Sequence, residues 1–277
     1  MSYENRIREN RQKMSKSFSR LADYVLDNYV QAALMTATEL AHQVNVDAAT
    51  VVRFAQRLGY GGFPELQNEI KEKVKQDLLI KPEKVAEPDS LSGVVDQTMV
   101  EMQDAVEQVR KLLDISALEK IIEQIGEARR ILIVPDGLGQ VAAYNLLSLL
   151  EQGGFLVSVV QPGVVDLART ILTAREGDLI IAIDVAGAAP YISRALIEAR
   201  NARIHTAAVV GAPSHPTANE ADLVLAAHHQ PEISMAVIVV DVVVFSLAEA
   251  LKWRYTDRFV GADSAIETVF ERIMAGK

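Results

Sequence analysis

The part of the chain that leaves folding the least choice begins at residue 130. Five short apolar runs lie there: RILIVP (130–135), FLVSVV (155–160), DLIIAID (178–184), IHTAAVV (204–210) and DLVLAA (222–227). They do not alternate apolar with polar residues, so the strands they form must be covered on both faces. The stretches between them, 140–152, about 164–174 and about 190–201, read as helices. Strands of this kind separated by helices build a parallel sheet, because a parallel neighbour needs a crossover long enough to hold a helix. The expected fold of this region is a three-layer α/β/α domain with a five-stranded parallel sheet.

Before residue 80 the pattern is different. SRLADYVLDNYV places Leu21, Tyr24, Val25 and Tyr29 on one face at spacings of three and four. TATELAHQV, DAATVVRFAQRL and a charged helix opening at Pro64 follow in close succession. Residues 81–93, KPEKVAEPDSLSG, have linker composition. A further helix is expected over about 93–125. The fold class is therefore α plus α/β, with an all-α unit over 1–78, a linker over 79–92 and the α/β domain over 93–277.

Charge divides the same way. The net charge is −9, yet residues 1–80 hold 11 basic and 10 acidic side chains, and residues 1–20 hold six basic and two acidic. Distant acid is screened beyond a Debye length, so the first unit remains compatible with a polyanion partner. The absence of cysteine removes disulfides and thiolate metal sites. The polar start MSYENRIREN is not a secretory leader, and Asp241 interrupts the longest apolar run before it could span a bilayer. A soluble cytoplasmic protein with no membrane partner is expected.

TELAHQVNVDAATVVRFAQRLG has the spacing of a helix-turn-helix. Leu40 and Val44 pack inward, and Ala41 is small where two helices approach. Asn45 suits a left-handed turn position. Asp47 can cap the second helix. Val51, Phe54 and Leu58 face the core, and Gly59 ends the helix. The outer face then consists of Ala49, Thr50, Arg53, Gln56 and Arg57, with Val52 at its edge. Arginine can pair with guanine through two hydrogen bonds, glutamine with adenine, and a small apolar group can meet a thymine methyl. Thr36 and Thr38 are placed to hold phosphate, and Arg6, Arg8, Arg11, Lys13 and Lys16 to add non-specific attraction. Double-stranded DNA is the expected partner. A protein-interaction bundle with solubilising arginines is the alternative.

ATVVRFAQRLGYGGFPELQ resembles the N-terminal domain of the RpiR-type bacterial transcription regulators. The remainder resembles their SIS (sugar isomerase) domain, which in that family binds a phosphorylated sugar and adjusts DNA binding within a dimer or tetramer. The resemblance implies a homo-oligomeric transcriptional regulator of carbohydrate or related carbon metabolism. The family's ligand loops read Gly-x-Gly-x-Ser and Ser-x-Ser-Gly-x-Thr. Here they read Pro135-Asp136-Gly137-Leu138-Gly139, followed by Gln140, and Asp184-Val185-Ala186-Gly187-Ala188-Ala189.

The phosphate-holding hydroxyls are absent from both loops. Three or four charged hydrogen bonds are worth on the order of 5 kcal/mol or more, and a carboxylate about 4 Å from a like charge adds up to about 4 kcal/mol of repulsion. The effector expected at Asp136, Gly137, Gly139, Gln140, Asp184, Ala186, Gly187 and Ala189 is therefore a polar compound, an amino compound or free sugar rather than a sugar phosphate. Two alternatives stay open. One is a domain kept only for assembly, with Asp184 accepting loop amides and Asp136 a solvated turn residue. The other is an isomerase-like protein that binds sugar phosphate. The histidines at 42, 205, 215, 228 and 229 show no metal spacing, and the phosphate grip a sugar isomerase needs is missing. No enzyme activity, cofactor or metal is expected.

Overall fold

The computed structural model describes residues 2–77, 90–161, 163–227 and 233–275. Serine and aspartate set the helix starts in the first half. Ser2 opens α1 (Tyr3–Asn10) and Ser15 opens α2 (Lys16–Asp27), each accepting a backbone amide three residues on. Then come α3 (Tyr29–Leu34), α4 (Ala37–Gln43), α5 (Ala48–Arg57) and α6 (Phe63–Asp77). Leu21, Val25, Leu40, Val51, Phe54, Leu66 and Ile70 are fully buried in one core. Phe18 meets Phe54 edge to face at 5.8 Å. No helix was expected at α1, whose Arg6 and Arg8 were assigned to non-specific attraction. Tyr3 and Ile7 instead enter the core, four residues apart on one face.

The helix expected over about 93–125 is two helices. α7 (Leu91–Leu112) stops, and Asp114 caps α8 (Ile115–Glu127) by accepting the Ala117 amide at 3.0 Å. Residues 1–112 and 113–277 form two compact units, so α7 belongs to the first and α8 to the second. Of the expected linker, residues 79–89 lie outside the described residues, as do His228 and His229.

The second unit holds β1 (Arg130–Pro135), α9 (Gln140–Gln152), β2 (Val157–Val159), α10 (Val164–Thr173), β3 (Asp178–Asp184), α11 (Pro190–Asn201), β4 (His205–Val210), α12 (Pro216–Glu220), β5 (Leu223–Ala226), α13 (Ile233–Arg254) and α14 (Thr256–Met274). The strands form one parallel sheet in the order β2-β1-β3-β4-β5. Leu132, Val134, Ile180, Ala182 and Val210 face Leu167 of α10 and Ile192 and Leu196 of α11. Ile131, Ile133, Ile181 and Val209 are buried too, and α8, α9 and α13 pack against the sheet. This double cover is why the strands could dispense with polar alternation.

α13 is apolar nearly all round, a pattern that favours burial on several sides. Val239, Val240, Val243, Val244 and Leu247 are buried, while Phe245 and Trp253 are exposed. Among the described residues, no helix is long and apolar enough to cross a membrane.

Candidate nucleic-acid interface and effector crevice

The turn between α4 and α5 has the geometry its residues call for. Asn45 sits at φ 54°, in the left-handed region, and the Val46 amide donates to the Ala41 carbonyl at 2.9 Å. Asp47 then caps α5 through the Thr50 amide at 2.7 Å. The Thr50 hydroxyl beside it holds the Asp47 carboxyl below the usual carboxylate range. Gly59, at φ 90°, ends the helix. Ala49, Arg53, Gln56 and Arg57 are exposed and Val52 is half-buried, so these five lie where the spacing put them.

Thr50 does not. It is buried, its hydroxyl donating to Asp47 Oδ2 at 2.8 Å and accepting from Arg53 Nη2 at 2.9 Å. Its place in the first turn of α5 and its bond to the cap draw it inward, so it positions Arg53 rather than facing outward. Thr38 is exposed near the start of α4. Thr36 caps α4 reciprocally with Glu39, its amide and hydroxyl donating to Glu39 Oε2 at 2.7 and 2.8 Å.

The N-terminal basic residues are also partly committed. Arg6 donates to the carbonyls of Leu58 and Gly59, at 3.1 and 3.3 Å, and its guanidinium lies 4.6 Å from the centre of the Tyr60 ring. It thus closes the C-terminal end of α5. Arg11 is ion-paired with Asp23. Lys13 and Lys16 are exposed. Sequence reading missed Arg20, whose Nη2 donates to the Asn45 carbonyl at 3.2 Å and braces the turn. The partners are 25 residues apart, and no local spacing announces such a pair.

In the second unit, β1 and β3 are neighbours whose onward connections leave in opposite directions, which opens a crevice at their carboxyl ends. Both expected aspartates are there, but both turn inward. Asp136 is buried and accepts three amides: Gly139 at 2.5 Å on Oδ1, and Val185 and Ala186 at 3.1 and 3.3 Å on Oδ2. It is not a solvated turn residue. Burial lifts its carboxyl above the ordinary range, the Gly139 amide opposes that rise, and the charge of Asp184 adds to it.

Asp184 is buried as well, accepting the Gly187 amide at 2.8 Å and the Thr217 hydroxyl at 2.5 Å. His215 Nδ1 lies 3.3 Å from the Asp184 carbonyl oxygen. Thr217 and His215 were not foreseen, since they come from the loop and helix after β4. Gly137 and Gln140 are exposed at the crevice, and Ala186 and Gly187 are half-buried. Ala189 belongs to the core with Ile192 and Leu196, because it immediately precedes α11 and packs under it. Among the described residues, no cluster of three or more His, Cys, Asp or Glu side chains could hold a metal ion.

Gly139 has no room for a side chain. A Cβ there would lie 2.8 Å from Ile183 Cγ2 and 2.9 Å from both Asp136 Oδ1 and the Ile183 carbonyl oxygen. Gly139→Ala is expected to cost about 1–3 kcal/mol, as overpacking does. Chemical denaturation of the second unit checks this, and an unchanged midpoint would show that the loop has space to give.

A helix-turn-helix unit followed by a sheet of this order defines a two-module class, and comparison with known proteins identifies both modules. The helix-turn-helix domain of the rpiR family matches residues 1–77, and the SIS domain matches residues 124–251. The chain carries the paired modules of the RpiR family, its helix-turn-helix domain and a SIS domain.

An uncharacterized HTH-type transcriptional regulator of Escherichia coli, YfhH, is 29% identical over 190 residues, 66% of this chain and 66% of that protein. One of Haemophilus influenzae is 28% identical over 157 residues, 55% of this chain and 54% of that protein. The chain thus spans less than two thirds of the length of these curated relatives. Among solved structures, the Vibrio vulnificus NanR protein complexed with ManNAc-6P is similar over 97% of this chain and 98% of that one, with a TM-score of 0.58 and 22% identity. The sugar isomerase domain of an RpiR transcription factor from Sphaerobacter thermophilus covers 63% of this chain and 98% of its own, with a TM-score of 0.55 and 21% identity. Both likenesses are likenesses of fold.

Proposed function

We propose that residues about 1–78 bind double-stranded DNA sequence-specifically, that a linker over 79–92 follows them, and that the SIS domain of the second unit, residues 113–277, assembles the chain and senses a small polar effector. The observation that carries the DNA reading is the exposed row Ala49, Arg53, Gln56 and Arg57. It stands on a helix whose entry is fixed by the left-handed Asn45 and the Asp47 cap. Arg53 and Arg57 would read guanine, Gln56 adenine, and Ala49 and Val52 thymine methyl groups. Lys13, Lys16 and Thr38 are exposed and would meet phosphate.

One recognition helix reads few bases, so the reading includes a homodimer or homotetramer. Its half-sites would lie about 34 Å apart or a multiple of that. The exposed Val260, Ile266, Val269, Phe270 and Ile273 of α14 support assembly through a second copy.

NanR was solved with ManNAc-6P, yet the loops here carry no hydroxyl for a phosphate. A free sugar, polyol or amino compound fits this crevice better. The reading is of a regulator rather than an isomerase, in keeping with the names of the relatives.

Fluorescence anisotropy on DNA from the protein's own promoter region tests it. Tight binding that outcompetes random DNA, and weakens steeply with salt, is expected. Equal affinity for random DNA at low salt, with and without candidate metabolites, would overturn it.

A further inference from the structure

Amides at the start of a helix, facing a crevice at a switch point of a parallel sheet, are donors that attract an anion. In this crevice the chain supplies one itself. Asp136 Oδ1 takes the Gly139 amide next to the start of α9, and Oδ2 takes the Val185 and Ala186 amides of the loop after β3. One buried side chain therefore ties the loop after β1 to the loop after β3, as a bound anion would. Gly139 records the same occupancy, because the place of its missing Cβ is 2.9 Å from Asp136 Oδ1. A serine there would run into the carboxylate. The next amide, that of Gly187, is taken by Asp184, whose second oxygen accepts the Thr217 hydroxyl.

Resting on the reading of this domain as a sensor, we propose that the Asp136 carboxylate is a built-in anion filling the crevice's amide donors, so that the site takes uncharged or cationic polar ligands and excludes phosphate esters. An incoming phosphate would find these amides occupied and would face a like charge. A polyol or amine needs none of those donors and can give hydrogen bonds to the crevice.

Calorimetric titration of the full chain with inorganic phosphate, a hexose 6-phosphate and the free hexose, at constant ionic strength, tests the proposal. The native protein is expected to show no saturable binding of either phosphate. Asp136→Ser and Asp136→Gly, shown to be folded by circular dichroism, are expected to bind the phosphates at least about tenfold more tightly than the native chain, the worth of one freed charge-assisted hydrogen bond. Native binding as tight as that of the variants overturns the proposal, and so do folded variants that gain nothing. If neither variant folds, thermal shifts of the native protein decide: stabilisation by hexose 6-phosphate overturns the proposal and indifference upholds it. A native chain indifferent to every polar effector, with variants that gain phosphate, would remove the sensor reading and leave the role of Asp136 standing.

Discussion

Phe54→Ala is expected to destabilise the N-terminal unit by about 3–5 kcal/mol, the cost of emptying a fully buried aromatic site. Phe54 is wholly buried at the centre of α5, with Phe18 edge-on at 5.8 Å. It joins α5 to α2, so the cavity would open under the exposed row Ala49, Arg53, Gln56 and Arg57. A loss of that size is a large share of the roughly 5–15 kcal/mol that holds a typical domain together. Promoter binding should fail at growth temperature, although no outward-facing residue has changed. The core of the second unit contains none of these side chains, so its unfolding transition should stay at the native midpoint. Denaturant unfolding followed by circular dichroism separates the two transitions. An unmoved first transition would mean that Phe54 does not anchor α5.

Much of this architecture was legible because local signals agreed with one another. β1 and β3 begin and end where the apolar runs do, and α9 and α11 occupy the intervals read as helical. The helix-turn-helix was readable for the same reason: Asn45, Asp47 and Gly59 are local conformational devices, and each acts within a few residues of itself.

What stayed hidden was mostly long-range. Arg6 closing the end of α5, Arg20 bracing the turn and Thr217 meeting Asp184 join residues 52, 25 and 33 positions apart. No periodicity encodes such pairs. The break between α7 and α8 is a different case, since Asp114 is a good cap and its signal was present but outweighed by the apolar spacing around it.

The crevice shows the limit most clearly. The alternative reading had Asp184 accepting loop amides, as it does, but the expected effector site left both Asp136 and Asp184 open to a ligand. Both instead turn to amides and a hydroxyl within the fold. A buried charge costs too much to leave without partners, and loop amides were the nearest donors. Comparison with the family's loop pattern reveals one hydroxyl replaced by Asp184 and the others by Gly139, Ala186 and Ala189, but the direction in which an aspartate points is settled by packing.

Arg53→Ala is expected to cost about 1–3 kcal/mol of specific DNA affinity, and adding Arg57→Ala about 2–6 kcal/mol in all if the two act independently. In the free protein the Arg53 guanidinium leans on the cap of its own helix, donating to Thr50 Oγ1 at 2.9 Å and lying 3.8 Å from Asp47 Oδ1. That pair is weak, because the two side chains are 64% and 67% exposed. It holds the guanidinium at the N-terminal end of α5 without committing it, and a guanine edge offers two better acceptors. Arg53→Lys should not restore affinity, since a lysine has the charge but not the planar fork.

The contrast that decides the matter is between two classes of substitution. Lys13→Ala and Lys16→Ala should weaken promoter and random DNA alike and lower the salt slope by about one unit each. Arg53→Ala should weaken the promoter far more than random DNA and relax the preference at one base pair per half-site. Competition anisotropy on a set of singly substituted operators measures both quantities. Equal losses on every sequence would move Arg53 from the base edge to the phosphate backbone and leave Gln56 and Arg57 to carry the specificity.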